Sequence, residues 1–271
     1  MGTGCEMIFG IRTNAQTSSS AYSSLRDRID LPFEFSMAFQ PIVNIATRQV
    51  RAYEALARGM KGEPAWSVLS QVTEENRYAF DQSCRIKAIT LASDLGLADT
   101  GAGLSINLVP GAVYSPAAGI QLTLRTASNK GFPVEKLIFE ITESEETGGL
   151  PHLREIVEDY RRRGIKIALD DLGAGYAGLN MLADFPADIV KLDMALTRNL
   201  DRRPRALAIV RSMVGLTAQL NTELVAEGIE TEAEYDALRD CGISLMQGYL
   251  FARPAFEALP QINWVKSSSR V

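Results

Sequence analysis

Short β-rich runs alternate with longer helical segments along most of the chain, and turn-forming residues separate them. The predicted strands are Met37–Val43, Val50–Ala57, Leu104–Leu108, Leu137–Thr142, Lys166–Asp170, Ile189–Asp193, Glu223–Ala226 and Leu245–Gln247. The predicted helices are Trp66–Asn76, Ala79–Leu95, Leu150–Arg163, Arg205–Leu220 and Glu232–Asp240. In the third of these helices, Leu153, Ile156, Val157 and Tyr160 recur at helical spacing and predict one apolar stripe.

This alternation continues over about 230 residues and predicts a parallel β-sheet whose strands are joined by helices. Eight strands favour a closed barrel over an open doubly wound sheet, so we expect an α/β fold of the TIM-like (β/α)8 type in residues 31–260. Residues 1–30 are rich in serine and are predicted to form a flexible N-terminal segment. Residues 261–271 are predicted to form a C-terminal tail.

The composition excludes some classes of function. Hydrophobic residues make up 46% of the 271 residues and charged residues 23%, which is typical of globular proteins. The formal net charge of -5 argues against binding to polymeric nucleic acid, because counterion release requires clustered Lys and Arg. The same net charge would repel an anionic substrate, so such a substrate would need local cations.

Cysteine spacing and hydropathy indicate the compartment. Cys5, Cys84 and Cys241 are far apart and lack metal-type spacing, so they are predicted to be free thiols in a reducing compartment. No apolar run reaches the ~18 residues that a membrane span needs. We also expect no signal peptide at the N-terminus. The chain is therefore expected to be cytoplasmic.

Polar side chains follow six of the predicted strands at the point where each strand ends. They are Glu54, Asn107, Glu140, Asp170, Asp171, Lys191 and Glu227. Ile165, Ile167 and Leu169 share one face of the fifth strand, so Asp170 lies on the other face. If helices cover the apolar face, Asp170 points toward the barrel axis at the carboxyl end, where barrel enzymes place their chemistry.

The carboxylates in this group require compensating positive charge, because like charges raise one another's pKa values. Lys191 and Arg58 supply two cations against five carboxylates, so divalent metal ions are the expected remainder. His152 is the only histidine and no cysteines cluster, which disfavours zinc. Carboxylate and amide oxygens suit Mg²⁺ or Mn²⁺. The adjacent Asp170 and Asp171 would allow two ions to bind side by side, an arrangement that cleaves phosphodiesters.

Each of these residues also has an ordinary explanation when it is taken alone. An acidic residue at a strand end is commonly a helix N-cap or a solvated loop residue. The segment 170–175 could be a plain turn, Lys191 an exposed strand lysine, and His152 a surface residue. These explanations do not account for the same placement in six strands.

The ordered series of motifs resembles the EAL family of cyclic di-GMP phosphodiesterases. The signature tripeptide is Glu54-Ala55-Leu56. The other matching segments are Phe39–Ile42, Asn107–Pro110, Glu140–Glu143, Asp170–Tyr176, Asp188–Asp193, Ala226–Glu230 and Gln247–Phe251. Leu172, Ala174 and Val109 depart from the family's usual Phe, Thr and Ser, and none of them is a ligand position.

The resemblance implies hydrolysis of cyclic di-GMP to linear pGpG by a centre with two Mg²⁺ or Mn²⁺ ions. The implied metal ligands are Glu54, Asn107, Glu140, Asp170, Asp171 and Glu227. Lys191 is implied to orient or help deprotonate the attacking water, and Gln247 to support a water in the metal site. Glu143, which tethers the Asp-Asp loop in the family, and Glu230 are implied to support the ligands from behind.

The resemblance also implies how the dinucleotide and a second copy of the chain would bind. The implied contacts to cyclic di-GMP come from Gln40, Leu56, Arg58 and Phe251. The Arg58 guanidinium suits a phosphate, and the Phe251 ring suits stacking on guanine. A homodimer and an antiparallel first strand are expected as well.

Two alternatives to the enzyme stay open. The first is a receptor that binds cyclic di-GMP without cleaving it, and the second is a protein-interaction module that ignores the nucleotide. Degenerate members of the family tend to lose metal ligands or the supporting glutamate. The presence of Glu54, Glu143 and Lys191 therefore favours the enzyme.

Overall fold

The computed structural model describes residues 31–109, 116–142, 150–173 and 178–265. Its strands are β1 Ser36–Asn44, β2 Gln49–Arg58, β3 Gly103–Asn107, β4 Leu137–Thr142, β5 Lys166–Leu172, β6 Ile189–Leu192, β7 Glu223–Ala226, β8 Leu245–Met246 and β9 Ala255–Phe256. Strands β2 to β8 follow one another in chain order, and β1 lies between β8 and β2. The eight strands β1 to β8 therefore close into a barrel, and β9 pairs with the remaining part of β1.

The first strand runs against the others. Strand β1 is antiparallel to both β2 and β8, whereas β2 to β8 are parallel to one another. The predicted TIM-like barrel with an antiparallel first strand is thus confirmed. The reversal follows from the short turn between β1 and β2, which is too short to hold the crossover that parallel strands require.

The helices of the described ranges lie between the strands. They are α1 Trp66–Leu69, α2 Arg77–Asp94, α3 Pro116–Lys130, α4 Leu150–Arg162, α5 Gly178–Asp184, α6 Met194–Thr197, α7 Pro204–Gln219 and α8 Glu232–Asp240. The apolar stripe predicted in α4 is confirmed, since all four of its side chains are buried. Burying side chains of this size contributes about 1.5–3 kcal/mol each.

Several element predictions were wrong. The helix predicted over Trp66–Asn76 ends at Leu69 because the Asn76 side chain accepts from Thr73 N at 2.8 Å and donates to Gln71 O at 3.0 Å. Such side-chain bonds compete with helical ones. Helix α3 was not predicted because Gly119, Thr123 and Ala127 occupy most of its buried positions, and Ile120 alone does not make an apolar stripe there. Helices α5 and α6 and strand β9 are too short to carry a clear period.

The interior floor of the barrel is a separate apolar cluster. It consists of Ile42, Ala52, Ile138, Ala168, Ile189, Val225 and Leu245, one residue from each of seven strands. Strand β3 contributes Gly103, where an added Cβ would lie 3.0 Å from Lys136 O and 3.1 Å from Ile138 Cδ1. A side chain at this position would crowd the floor, so the close approach of neighbouring strands requires glycine.

The predicted boundaries at residues 30 and 260 stay predictions. Residues 261–265 lie against the barrel, since Asn263 N donates to Phe251 O at 2.8 Å and the Arg48 guanidinium lies 5.2 Å from the Trp264 ring. Cys84 and Cys241 are free cysteines, and Cys5 lies outside the described residues. None of the helices in the described ranges has the length and apolar character that crossing a membrane would require.

Candidate active site

Each of the eight barrel strands carries a polar residue at the next interior-facing position beyond its floor residue, toward the barrel mouth. The pairs are Ile42–Gln40, Ala52–Glu54, Gly103–Ser105, Ile138–Glu140, Ala168–Asp170, Ile189–Lys191, Val225–Glu227 and Leu245–Gln247. The polar residue comes two positions later in β2 to β8, and two positions earlier in β1 because β1 runs the opposite way. Side chains far apart in sequence therefore gather in one layer at the carboxyl end of the barrel.

Lys191 lies at the centre of this layer and is 1% exposed. Its Nζ is 2.7 Å from Glu227 Oε1 and 2.9 Å from Glu140 Oε2. It is also 3.1 Å from Asp170 Oδ1 and 3.5 Å from Glu54 Oε2. If all four carboxylates were ionised, the single ammonium would leave an excess of three negative charges around this atom.

Burial and mutual repulsion perturb the pKa values in the layer. Burial lowers the pKa of Lys191, but the surrounding carboxylates together raise it well above its ordinary value. Burial raises the pKa of Glu227 to about 8, and Asp170 and Glu54 add to this rise while Lys191 opposes it. Burial and the Glu54 charge also raise the pKa of Glu140 well above its ordinary value. The layer therefore favours the arrival of positive charge.

The carboxylates form two overlapping groups that could each hold a metal ion. Glu54, Glu140 and Asp170 make the first group, and Asp170, Asp171 and Glu227 make the second. Within each group the oxygen atoms offered all lie within 4.8 Å of one another. Because Asp170 belongs to both groups and all donors are oxygens, the residues fit two neighbouring divalent cations such as Mg²⁺ or Mn²⁺.

A local irregularity brings two consecutive aspartates to the same site. The pairing of β5 with β6 shifts register between Leu169 and Leu172, which marks a bulge. Asp171 has φ of +57° and its N–H donates to Asp170 Oδ1 at 2.9 Å. The left-handed backbone, which aspartate tolerates better than most residues, removes the usual alternation of faces at this point.

The polar layer contains one side chain that the sequence pattern did not single out. Ser105 is fully buried and its Oγ donates to Glu140 Oε1 at 2.5 Å. Asn107, predicted as a ligand, lies one pleat nearer the mouth, is exposed, and has its Nδ2 3.4 Å from Glu54 Oε1. The strand period would have identified Ser105, since it precedes Asn107 by two residues on the same face.

Two glutamines orient Glu54 from the other side. Gln247 Nε2 donates to Glu54 Oε2 at 2.7 Å and lies 3.5 Å from Gln40 Oε1. Gln40 Nε2 in turn donates to Ala252 O at 3.2 Å. The structure thus brings Gln40 and Gln247 together with Glu54, as the antiparallel placement of β1 beside β2 and β8 requires.

The residues predicted to bind the dinucleotide are divided between the mouth and the core. Leu56 and Arg58 follow Glu54 on β2 and are half-buried. Burial lowers the pKa of Arg58. Phe251 is 1% exposed and packs edge-on against Tyr235, so the open ring face expected for stacking on guanine is not present in this conformation.

The supporting residues also differ in their placement. Glu230 is exposed and accepts from Arg198 NH2 at 2.8 Å. Glu143 lies outside the described residues. A support that the sequence did not indicate is Thr197, which is buried and donates from Oγ1 to the backbone oxygen of Glu227 at 2.5 Å.

A buried carboxylate holds the two loops beside Glu227. Glu234 accepts from Asn199 N at 2.9 Å, from Glu230 N at 3.0 Å and from Thr231 N at 3.1 Å. Its sequence signal is the capping box formed with Thr231 at the start of α8. These bonds tie the loop after β6 to the loop after β7.

Several known proteins resemble this chain. The antirepressor BluF of Escherichia coli, described as blue light- and temperature-regulated, is 30% identical over 84% of this chain and 56% of its own length. The cyclic di-GMP phosphodiesterase RocR of Pseudomonas aeruginosa is 38% identical over 45% of this chain and 31% of its own length. The chain therefore spans about half or less of the length of these curated relatives.

Solved structures match the fold closely. A standalone versatile EAL protein from Vibrio cholerae, in its c-di-GMP bound form, is 48% identical, covers 86% of this chain and 98% of its own, and has a TM-score of 0.83. A manganese/cy-diGMP complex of Klebsiella pneumoniae BlrP1 is 34% identical, covers 86% of this chain and 59% of its own, and has a TM-score of 0.80. A model of the EAL domain matches residues 23–254. The chain belongs to the EAL domain family.

Proposed function

We propose that this chain hydrolyses cyclic di-GMP to linear pGpG in a reaction that depends on two Mg²⁺ or Mn²⁺ ions. The observation that carries the proposal is the pair of overlapping carboxylate groups around the buried Lys191. The proposal is supported by the likeness of this chain to the Vibrio cholerae protein with bound c-di-GMP, to BlrP1 in its manganese complex and to the cyclic di-GMP phosphodiesterase RocR.

The residues that would hold the two ions are the carboxylates of both groups together with the oxygen of Asn107. When bound, the ions would supply positive charge, lower the pKa of a water and polarise the phosphodiester. Asp170 would serve both ions because it belongs to both groups. Ser105 and Gln247 would keep Glu140 and Glu54 in place through their hydrogen bonds.

The chain's own residues would then direct the hydrolysis. A bond forms between the water oxygen and phosphorus, the bond from phosphorus to the ribose 3′ oxygen breaks, and a proton passes from the water to the leaving oxygen. Lys191 Nζ lies within the carboxylate layer, and in this proposal it would orient the water. Lys191 would accept a proton only after positive charge offsets the carboxylates, because they raise its pKa.

Binding of the dinucleotide would use the mouth of the barrel. Arg58 would contact a phosphate, and Gln40 and Leu56 would line the site next to Glu54. Recognition of a dianionic ligand by a chain of net charge -5 requires such local cations. The free thiols Cys84 and Cys241 fit a reducing compartment, which supports a cytoplasmic location.

The test is a reaction with purified protein, cyclic di-GMP and either Mg²⁺ or Mn²⁺ in ¹⁸O-labelled water. We expect chromatography to separate linear pGpG and mass spectrometry to find one ¹⁸O atom in its terminal phosphate. Absence of a linear product with both metals would contradict the proposal. Incubation with EDTA serves as the metal-free control.

A second candidate function is a receptor that binds cyclic di-GMP without cleaving it. The likeness to BluF, which is named an antirepressor, favours a regulatory role. Calorimetry would separate the two candidates, because a receptor would bind the nucleotide with Mg²⁺ present and release it unchanged.

We also propose that the chain forms a homodimer through the face around α5. Leu179 on α5 is 62% exposed and Met194 at the start of α6 is 47% exposed. Light scattering should give the mass of a dimer for the parent chain and of a monomer for Leu179→Glu. Leu220→Glu, after the end of α7, is the matched control, because Leu220 is similarly exposed at 47%.

A further inference from the structure

A buried ion pair lies on α2, outside the barrel. Arg85 NH2 is 2.6 Å from Asp81 Oδ2, and both side chains have 0% exposure. The two residues are four positions apart, so they face the same side of the helix. A buried pair of this kind commonly adds little net stability over apolar side chains of similar size. The role of the Asp81–Arg85 pair is therefore sought in its contacts with residues outside α2.

The second carboxylate oxygen of Asp81 contacts the segment that directly follows β3. Asp81 Oδ1 accepts from Val109 N at 3.0 Å. The preceding residue, Leu108, donates its N–H to Glu140 O at 2.9 Å. Strand β3 ends at Asn107, so these two bonds hold the chain just beyond the strand.

Arg85 contacts the neighbouring strand of the same site. Its guanidinium carbon lies 5.8 Å from the centre of the Phe139 ring, and Phe139 directly precedes Glu140 in β4. The pair thus contacts chain segments that flank two candidate metal ligands, Asn107 and Glu140. It touches neither of these side chains itself.

Asn107 is the last residue of β3, and its side chain is held less firmly than that of Glu140. Its side chain is exposed, and its contact with Glu54 is long at 3.4 Å. Glu140, by contrast, is held by Lys191 and Ser105 at 2.9 and 2.5 Å. A small shift of residues 108 and 109 would therefore affect the Asn107 amide more than the Glu140 carboxylate, which two hydrogen bonds hold.

We propose that Asp81 and Arg85 are positioning residues, in which Asp81 holds the Val109 amide so that Asn107 faces Glu54 and strengthens the binding of a divalent cation. Arg85 fixes the orientation of the Asp81 carboxylate through their ion pair. The inference rests on the proposed function, because it requires Asn107 and Glu54 to hold a cation.

The test measures Mn²⁺ affinity by calorimetry in a double-mutant cycle. Asp81→Leu/Arg85→Met replaces the pair with apolar side chains of similar size and removes the acceptor for Val109 N–H. We expect its Kd for Mn²⁺ to rise about tenfold, as is typical when a residue behind a ligand is lost. Added to Asn107→Ala, the same change should have no further effect, because the residue being positioned is already gone.

A conservative variant and a control separate positioning from general stability. Asp81→Asn keeps an acceptor oxygen for Val109 N–H, so its Mn²⁺ affinity should stay within about twofold of the parent even if its unfolding temperature falls. Asp159→Leu/Arg163→Met removes a half-buried Asp–Arg pair of the same spacing at the end of α4, far from β3 in sequence, and should leave the affinity unchanged.

Different results would overturn this inference alone or the proposed function as well. Parental Mn²⁺ affinity in folded Asp81→Leu/Arg85→Met, or an additive effect with Asn107→Ala, would overturn the inference alone. If that variant does not fold, an Asp81→Asn affinity as weak as that of Asn107→Ala would overturn it. Absence of Mn²⁺ binding to the parent chain would overturn the proposed function and this inference with it.

Discussion

The ammonium of Lys191 lies 2.7 Å from a carboxylate oxygen of Glu227, inside a barrel where Lys191 is buried and the Glu227 side chain is 17% exposed. Two residues earlier on the same strands, Ile189 and Val225 belong to the apolar floor. The ion pair therefore has apolar packing on one side and further carboxylates on the other. In this environment the carboxylates repel one another strongly, and this repulsion is the source of the predictions below.

Replacing Lys191 with methionine should separate its role in catalysis from metal binding. We expect the rate of cyclic di-GMP hydrolysis to fall at least about 100-fold, the usual range for loss of a group that moves or orients a proton. Mn²⁺ affinity should be kept or increased, because a competing cation is removed from the carboxylates. Single-turnover assays and calorimetry measure the two quantities. Loss of Mn²⁺ binding would show that Lys191 has a different role.

The shared position of Asp170 predicts different stoichiometries for two neighbouring variants. Calorimetric titration should find two Mn²⁺ ions in the parent, one in Asp171→Asn, and strongly weakened binding of both in Asp170→Asn. Asp170→Asn should also abolish hydrolysis with the fold intact. Glu223→Gln is the control, because Glu223 starts the strand β7 that leads to Glu227 and pairs with Arg51. Equal stoichiometry in both aspartate variants would contradict the two-group arrangement.

Glu227 should make metal binding depend on pH. Its pKa of about 8 in the metal-free protein means that it is largely protonated at pH 7, and a cation must displace that proton. Mn²⁺ affinity should therefore rise by up to about tenfold per pH unit below pH 8 and level off above it. Calorimetry in buffers of different ionisation enthalpy would count the protons released. Affinity that is flat from pH 6.5 to 8.5 would contradict this prediction.

Ionisation of Glu227 should lower the stability of the metal-free protein as the pH rises. The pKa of Glu227 is higher in the folded state than in the unfolded state, so protonation of Glu227 stabilises the folded state. This stabilisation is lost as the pH rises from roughly 4.5 to 8. Lys191 does not change this trend, because its raised pKa keeps its contribution constant over that range. Thermal unfolding in EDTA should show a fall in Tm from pH 6 to pH 8.5, and Glu227→Gln should reduce that fall.

The crowded barrel floor gives a prediction on stability alone. Gly103→Ala should lower the free energy of unfolding by about 1–3 kcal/mol, because its Cβ would lie only 3.0 Å from Lys136 O and 3.1 Å from Ile138 Cδ1. Gly101→Ala is the matched control, since an added Cβ there meets nothing within 4 Å, and its effect should stay within about 0.5 kcal/mol. Urea unfolding of both variants measures the difference. Equal stability would mean that the floor can relax around the methyl group.

Much of the site was accessible from strand periodicity. The alternation around Asp170 correctly assigned Asp170 to the barrel interior, because side chains of a strand alternate between two faces whatever its neighbours are. The family motifs added Gln247, which donates to Glu54, and Gln40, which accepts from Gln247; no local pattern reveals these contacts. The exposure of Asn107 and the burial of Phe251 did not follow from these signals.

The sequence by itself determined the order of the strands, the face on which each interior side chain lies and the chemical types gathered at the strand ends. These properties depend on short-range periodicity and residue type. Only the tertiary structure decided that Ser105 bonds to Glu140, that Asp81 reaches Val109, and that Phe251 packs into the core. Such contacts join residues from different elements, so they depend on the packing distances between strands and helices, which local patterns do not encode.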